Sequence, residues 1–300
     1  MQVHFGLELL QPEWTECLAC LGAFDGVHVG HREVLRHAVE TANDKNIPSV
    51  LVTFDQNPAA ILAPEKCPPY IASLRSNLCQ FERAGVSVAV VLKFDLALSQ
   101  TSAEDFFESI LKKRIRANGF VVGHDFTFGK DRGGSAQWLA ARSETTVVPP
   151  FLVDGERVSS SGIRGMISSG DIQAANRLLG RPFLIEGVVV AGQRLGRTLG
   201  FPTINIARSF NQVNLADGVY AGECETPLGS FKAAISIGAR PTVDESRTIE
   251  AYLLDYPGET LYGQSVALSV SQRLRGQVKF DSLEQLKSQM ASDVVLVSRV

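Results

Sequence analysis

The stretch Gly22-Ala23-Phe24-Asp25-Gly26-Val27-His28-Val29-Gly30-His31 follows an apolar run at 17–22 and leads into a helical pattern. The spacing predicts a strand, a glycine-rich turn and a helix, with an apolar helix face made of Val34, Leu35, Ala38 and Ala42. Further short apolar runs lie at Val50–Phe54, Val86–Leu92, Phe120–Gly123 and Thr145–Val148. Continuous runs of this length indicate strands buried on both faces, so we expect a doubly wound parallel sheet.

Helix and turn signals continue to residue 182. Thr101-x-x-Glu104 has the form of a capping box and predicts the start of a helix. The basic run 112–116 would end this helix, and its apolar face would consist of Phe106, Phe107, Ile110 and Leu111. Asp154-Gly155 predicts a hairpin turn, and a helix from Asp171 ends at Gly180 before Arg181-Pro182. We place a domain boundary there, giving domains 1–182 and 183–300.

The second half has a different pattern, in which short runs are separated by turn residues. The predicted strands are Ile185–Val190, Gly218–Cys224, Phe231–Ile237, Thr248–Leu254 and Gln264–Val270. This pattern predicts an antiparallel β-barrel. A terminal helix over Ser282–Asp293 should bury Leu283, Leu286 and Met290.

Composition excludes several classes of function. A net charge of −3 over 300 residues gives no electrostatic footprint for nucleic acid or an anionic membrane. No apolar run is long enough to span a bilayer and no secretory signal is apparent, so we expect a cytoplasmic protein. Cys17-x-x-Cys20 has metal-ligand spacing without a second pair, so we interpret the five cysteines as packing residues. The oligomeric state cannot be inferred from the sequence.

The first candidate site combines the histidine turn with a serine-rich segment. His28 and His31 are three residues apart near a helix start, so both imidazoles can face one ligand. Gly26 and Gly30 allow a phosphate chain to approach the backbone. Ser159-Ser160-Ser161-Gly162-Ile163-Arg164 supplies hydroxyls and a guanidinium for a departing pyrophosphate. The simpler interpretation is that these residues only cap two helices.

The second candidate site is glycine-rich. Residues 187–197 carry Gly187, Gly192 and Gly196 and lead into Gly200-Phe201-Pro202-Thr203-Ile204-Asn205. A threonine hydroxyl and an asparagine carbonyl are hard oxygen ligands suited to Mg²⁺. From the residues alone, this segment could equally be a turn, and Glu250 could be an outward-facing strand residue.

The motifs together resemble the bacterial bifunctional riboflavin kinase/FMN adenylyltransferases, over nearly the whole chain. On the nucleotidyltransferase side the resemblance rests on Gly22–His31, 53–55, 123–129, 158–164 and 178–182. On the kinase side it rests on Gly200–Asn205, 218–221, 237–242, 261–263, Leu274-Arg275 and Lys279-Phe280. The resemblance implies a Rossmann-like nucleotidyltransferase domain before the barrel.

The resemblance also implies residue roles. His28 and His31 would stabilise the reacting phosphates, with Gly22, Phe24, Gly30, Ser159, Ser160 and Arg164 holding ATP. Asp125 and Phe126 would contact the flavin. In the kinase, Gly192, Gly196 and Gly200 would bind ATP phosphates, and Thr203 and Asn205 would hold Mg²⁺. Glu250 would be the catalytic base. The implied substrates are riboflavin, FMN and ATP.

Among the departures from the family pattern, four bear most on the nucleotidyltransferase domain. Gln56-Asn57 stands where Pro-His is usual, Asn77 where lysine is usual, and Thr127 where arginine is usual. These departures motivate an alternative, in which only the kinase is active and the N-terminal domain merely binds nucleotide or flavin. A third hypothesis is a tRNA-related protein, since His-x-Gly-His also resembles the class I aminoacyl-tRNA synthetase signature.

Overall fold

A computed structural model describes residues 1–8, 10–192, 195–239, 247–258 and 260–300. The chain forms two compact units, Met1–Ser160 and Ser161–Val300. The predicted domain boundary at 182–183 differs from this division and stays a prediction.

The first unit is built on one parallel sheet. Its strands are β1 (Gln2–Phe5), β2 (Cys17–Leu21), β3 (Ser49–Phe54), β4 (Val88–Leu92), β5 (Ala117–Gly123), β6 (Thr127–Phe128), β7 (Gly134–Ser135), β8 (Glu144–Val148), β9 (Leu152–Val153) and β10 (Glu156–Arg157). Six of them pair in the order β1-β4-β3-β2-β5-β8, all in parallel. The predicted parallel sheet is therefore confirmed, and β1 is an addition. The residues of β1 are mostly exposed at the sheet edge, so the sequence has no continuous apolar run there that would predict a strand.

Helices connect these strands. They are α1 (Val29–Asp44), α2 (Ala59–Leu62), α3 (Leu74–Arg83), α4 (Leu96–Ser99), α5 (Ala103–Asp105), a π-helix continuing it (Phe106–Arg114) and α6 (Ala136–Ala140), with 3₁₀ turns at Pro64–Lys66 and Lys130–Arg132. The predicted apolar face of α1 is buried as expected. The capping box lies one residue later than predicted, because Ser102 rather than Thr101 accepts the hydrogen bond from the Asp105 backbone N–H.

Two further local predictions can be compared with the structure. Asp154 and Gly155 have φ values of +53° and +82° between β9 and β10, so the hairpin turn is confirmed. Cys17 and Cys20 are free and buried in different core clusters on the two faces of β2. Cys79, however, is exposed on α3, so it is not a packing residue.

The second unit is a closed antiparallel barrel. Its helices are α7 (Ser160–Ser169, which begins at the last residue of the first unit), α8 (Ile172–Leu179), α9 (Leu195–Thr198) and α10 (Leu283–Arg299). Its strands are β11 (Phe183–Val190), β12 (Thr203–Arg208), β13 (Gly218–Thr226), β14 (Gly229–Ala239), β15 (Arg247–Leu253) and β16 (Ser265–Arg275), closed in the order β11-β12-β15-β14-β13-β16. Among the described residues, no helix combines the length and apolar composition needed to cross a bilayer.

Two features of the barrel correct the sequence analysis. Residues 203–208, which could have been a turn, form strand β12 of the barrel. Helix α10 extends six residues beyond its predicted end, to Arg299, and its buried residues are Asp293 and Val297. Of the predicted apolar face, Leu283 is 55% exposed at the start of the helix, whereas Leu286 and Met290 are partly buried.

Candidate functional site

The histidine turn connects β2 to α1 and places His28 at the helix N-cap. The His28 Nδ1 accepts a hydrogen bond from the His31 backbone N–H, over 3.1 Å. In a neutral imidazole whose Nδ1 is an acceptor, the proton resides on Nε2. His28 therefore carries an N–H donor at the α1 N-terminus, whose positive dipole favours a phosphate.

The two histidine rings form one stacked pair. Their centroids are 3.6 Å apart with an interplanar angle of 15°. His31 also meets Phe24 edge-on at 5.2 Å. Burial, followed by the nearby His28, lowers the pKa of His31 well below its ordinary value, so its ring is neutral. The buried His31 Nδ1 has no hydrogen-bond partner among the described residues, which suits an atom that awaits a ligand.

The lowered His31 pKa predicts a pH effect on the ligand-free protein. Unfolding restores an ordinary His pKa of about 6.5, so below that pH the unfolded state binds more protons. The free energy of unfolding should therefore fall as pH drops through about 6.5. An NMR titration should show the His31 ring uncharged at pH 6, whereas a midpoint at or above about 6.5 would contradict the prediction.

The serine-rich segment contacts the histidine turn. The Ser160 hydroxyl donates to the backbone carbonyl of Asp25, over 3.1 Å. Ser159 precedes it in the same unit, and Arg164 lies four residues after Ser160 in α7. Ser160 thus contacts the histidine turn at Asp25, while Arg164 belongs to the second compact unit.

A cavity of about 780 Å³ opens in the first unit beside the ends of β2 and β3, within the range of small-molecule sites. Its aromatic wall includes Phe54, Phe126 and Phe128, and Phe126 stacks on Phe128 at 5.6 Å. Asp125 is not among the lining residues; its carboxylate is 63% exposed and forms an ion pair with Arg157. The structure therefore places Phe126 at the cavity and Asp125 outside it.

The predicted ATP-binding residues of the turn have different environments. Gly22 lines the cavity, and a side chain there would meet the Phe24 ring at 2.8 Å. Gly30 lies under the His28 ring, which an added Cβ would approach to 3.3 Å. The Phe24 side chain is only 4% exposed and supports the His31 ring from the core. Its side chain is therefore a support for the histidine pair.

The second candidate site lies on strands β12 and β15. Asn205 pairs directly with Glu250, so the two side chains share one face, as does Thr203 two residues away. The Thr203 hydroxyl donates to Glu250 Oε2 over 3.2 Å. Asn205 is only 8% exposed. This set of hydroxyl, amide and carboxylate oxygens fits the ligand preference of Mg²⁺.

The glycines of the second site allow close packing around it. A Cβ on Gly192 would lie 2.2 Å from the Asn205 amide, and one on Gly196 would lie 2.3 Å from the Phe201 carbonyl. Gly200 has a φ of +89°. Residues 193–194 of the predicted phosphate loop and residues 240–242 of the Ile237–Thr242 motif lie outside the described residues.

A cavity of about 210 Å³ borders Thr203 and Glu250, and α10 forms one of its walls. Arg275 and Asp293 face this cavity and form a bidentate ion pair, with contacts of 3.0 and 2.6 Å. Asp293 was missed because the sequence analysis placed it at the helix end. Asp293 lies at helical spacing from Leu286 and Met290, and this spacing could have identified it as a residue of the same helix face.

Replacing Asp293 by alanine should destabilise the barrel. The Asp293 side chain is 5% exposed and that of Arg275 is 20% exposed, so the substitution leaves a largely buried guanidinium without its carboxylate. We expect a loss of about 3 kcal/mol, measured by urea denaturation. The double replacement Arg275→Met with Asp293→Leu should recover much of it. A single variant as stable as the parent would show that the pair is not structural.

The comparisons with known proteins match a different family model to each half of the chain. The family model described as FAD synthetase matches residues 10–162, and that described as Riboflavin kinase matches residues 179–300. The bifunctional riboflavin kinase/FMN adenylyltransferase of Haemophilus influenzae is 35% identical, with 98% of this chain and 97% of the relative covered. The enzyme of that name from Pseudomonas fluorescens is 37% identical, with 98% and 96% covered.

A solved structure gives the same fold. The crystal structure of a protein described as a macrolide-efflux protein, from Streptococcus pneumoniae, is 30% identical and covers 100% of both chains with a TM-score of 0.92. That description concerns the Streptococcus protein, and its likeness to this chain is one of fold. With both family models and full-length relatives in agreement, the chain belongs to the bifunctional riboflavin kinase/FMN adenylyltransferase family.

Proposed function

We propose that this chain makes FMN from riboflavin and ATP in its second unit, and FAD and pyrophosphate from FMN and ATP in its first unit. The observation that carries the proposal is that each unit has its own cavity with its own chemistry. The first unit has stacked histidines at a helix N-terminus, and in the second unit a threonine–glutamate pair borders the cavity. The family supports both activities and ATP as the co-substrate.

In the kinase, Glu250 takes the proton from the riboflavin 5′-hydroxyl as that oxygen attacks the γ-phosphorus of ATP, and ADP leaves. The Thr203 hydrogen bond aims the carboxylate at the cavity. Thr203 and Asn205 are the residues that would hold Mg²⁺, which when bound offsets the charge on the phosphate oxygens. Gly192, Gly196 and Gly200 let the backbone approach the phosphates closely.

In the adenylyltransferase, a phosphate oxygen of FMN attacks the α-phosphorus of ATP, and pyrophosphate leaves. The His28 Nε2–H donates to the oxygens that gain charge, and the neutral His31 adds a second hydrogen bond. Ser159 and Ser160 supply hydroxyls for the departing pyrophosphate, and the family resemblance assigns Arg164 to the same anion. Phe126 contacts the flavin, and Asp125 lies at the outer edge of that site in its pair with Arg157.

The alternative of an inactive first domain has less support. The FAD synthetase model spans both histidines, and full-length relatives carry the bifunctional name. The tRNA-related hypothesis gains nothing from the comparisons. We also propose that the protein works in the cytoplasm and that the boundary of its catalytic domains lies at 182–183.

Product analysis tests this function. The purified protein is given riboflavin, ATP and Mg²⁺, and FMN and FAD are resolved over time; a second reaction starts from FMN. We expect FMN first, then FAD, and FAD with equimolar pyrophosphate from FMN directly. FMN that accumulates without FAD in both reactions would support the kinase-only alternative instead.

A further inference from the structure

The turn that carries His28 has a strained backbone. Phe24 and Val27 have φ values of +50° and +39°, and Gly26 between them has +79°. For a residue with a side chain, the left-handed region costs about 1–2 kcal/mol. Such strain persists only where the surrounding structure over-determines it. The contacts that hold this turn are therefore of functional interest.

One of these contacts comes from Asn77 in helix α3. The Asn77 Oδ1 accepts a hydrogen bond from the Gly26 backbone N–H over 3.1 Å, and Asn77 is only 7% exposed. Helix α3 is itself fixed by the N-cap Ser73 and by the fully buried Phe81. Helix α3 is thus hydrogen-bonded to the centre of the strained turn, two residues before His28.

The carboxylate of Asp25 makes a second attachment. It accepts hydrogen bonds from the backbone N–H groups of Ile71 and Ala72, at 3.1 and 3.3 Å. These partners lie in the loop before α3 rather than in the helix. Asn77 is therefore an attachment through which the regular structure of α3 acts directly on the turn.

Three of the departures from the family pattern meet at this place. Gln56, Asn57 and Asn77 line one cavity of about 40 Å³, together with Asp25 and Tyr70. The Gln56 amide donates to the Phe94 carbonyl over 2.9 Å, and Asn57 Oδ1 accepts from the Ala59 N–H. Each of the three side chains thus makes a hydrogen bond to the backbone, and all three lie around one cavity beside the histidine turn.

We propose that Asn77 is a positioning residue for adenylyl transfer. By holding Gly26 it keeps the turn in its strained form, and thereby fixes the His28 Nε2–H where charge develops on the α-phosphate. This inference rests on the function proposed for the first unit. Since small displacements of a catalytic group affect the transition state most, the loss of Asn77 should lower kcat rather than raise KM.

Variants of nearly equal size separate the hydrogen bond from packing. Asn77→Leu removes the acceptor, and Asn77→Asp keeps it as the protonated acid, the form that burial beside the Asp25 carboxylate favours. Gln80→Leu is the matched control, a buried polar residue on the same helix without a contact to the turn among the described hydrogen bonds. FAD formation from FMN and ATP is measured, with FMN formation by the same sample as a folding control.

We expect Asn77→Leu to lower kcat for FAD formation about tenfold or more with KM for FMN within about twofold. Asn77→Asp and Gln80→Leu should stay within about threefold, FMN formation should be unchanged in all, and the Gly26 amide should exchange faster in Asn77→Leu. A wild-type kcat in Asn77→Leu, or a loss of the same size in Gln80→Leu, would overturn the inference. No FAD from the parent protein would instead refute the proposed function.

Discussion

Replacing Glu250 by glutamine is expected to lower the rate of FMN formation about 10³-fold, the size of a lost general base. Glutamine keeps the size of the side chain and can still contact Thr203, but it cannot accept the proton of the riboflavin hydroxyl. FAD formation from supplied FMN should be unchanged, because Glu250 lies in the second unit. Initial rates with riboflavin and with FMN measure the two effects in one preparation.

The matched control is Glu223→Gln, which makes the same change of charge on an exposed position of strand β13. It should leave both rates within about twofold, as surface substitutions do. FMN formation by Glu250→Gln at a rate close to the parent would mean that Glu250 is the outward-facing strand residue of the simpler interpretation.

Replacing His28 by asparagine is expected to lower FAD formation about 10³-fold and to spare FMN formation. A rate loss of this size is typical when a hydrogen-bond donor to a developing oxyanion is removed. Asparagine is a good N-cap, so the start of α1 should remain intact while the Nε2 donor is lost. His28→Ala should lose the same activity and, in addition, about 1 kcal/mol of stability with the cap.

His37→Ala is the control for His28→Asn, since His37 lies on the same helix and forms a surface pair with Glu33 over 3.2 Å. It should leave FAD formation within about twofold. If His28→Asn kept the parent rate of FAD formation, the histidine would be only a helix cap, the simpler interpretation of the sequence.

Periodicity was sufficient to predict most of the fold. The apolar runs of the buried parallel strands and the face of α1 are set by local burial, and the structure confirms them. Elements whose stability comes from tertiary partners were missed: the exposed edge strand β1, and strand β12 beside a proline turn. The extra turns of α10 bury Val297, and the helix is tied to the barrel by the Arg275–Asp293 pair, whose partners are 18 residues apart.

The sequence predicted which residues form the site better than it predicted how those residues are arranged. Two histidines three residues apart could be assigned to one ligand, but their stacking and the role of Phe24 as a support depend on the left-handed turn. The hydrogen bond from Gly26 to Asn77 joins residues 51 positions apart, so no local pattern could reveal it. Likewise, the pairing of Asn205 with Glu250 follows from barrel register.

The central claim, two independent sites in series, is tested most directly by mixing Glu250→Gln and His28→Asn. Each variant is first incubated alone with riboflavin, ATP and Mg²⁺, and then the two are combined in equal amounts. The account predicts little FMN from the first alone, FMN without FAD from the second alone, and FMN followed by FAD from the mixture. FAD formed from riboflavin by the His28 variant alone, or FMN that accumulates unchanged in the mixture, would contradict it.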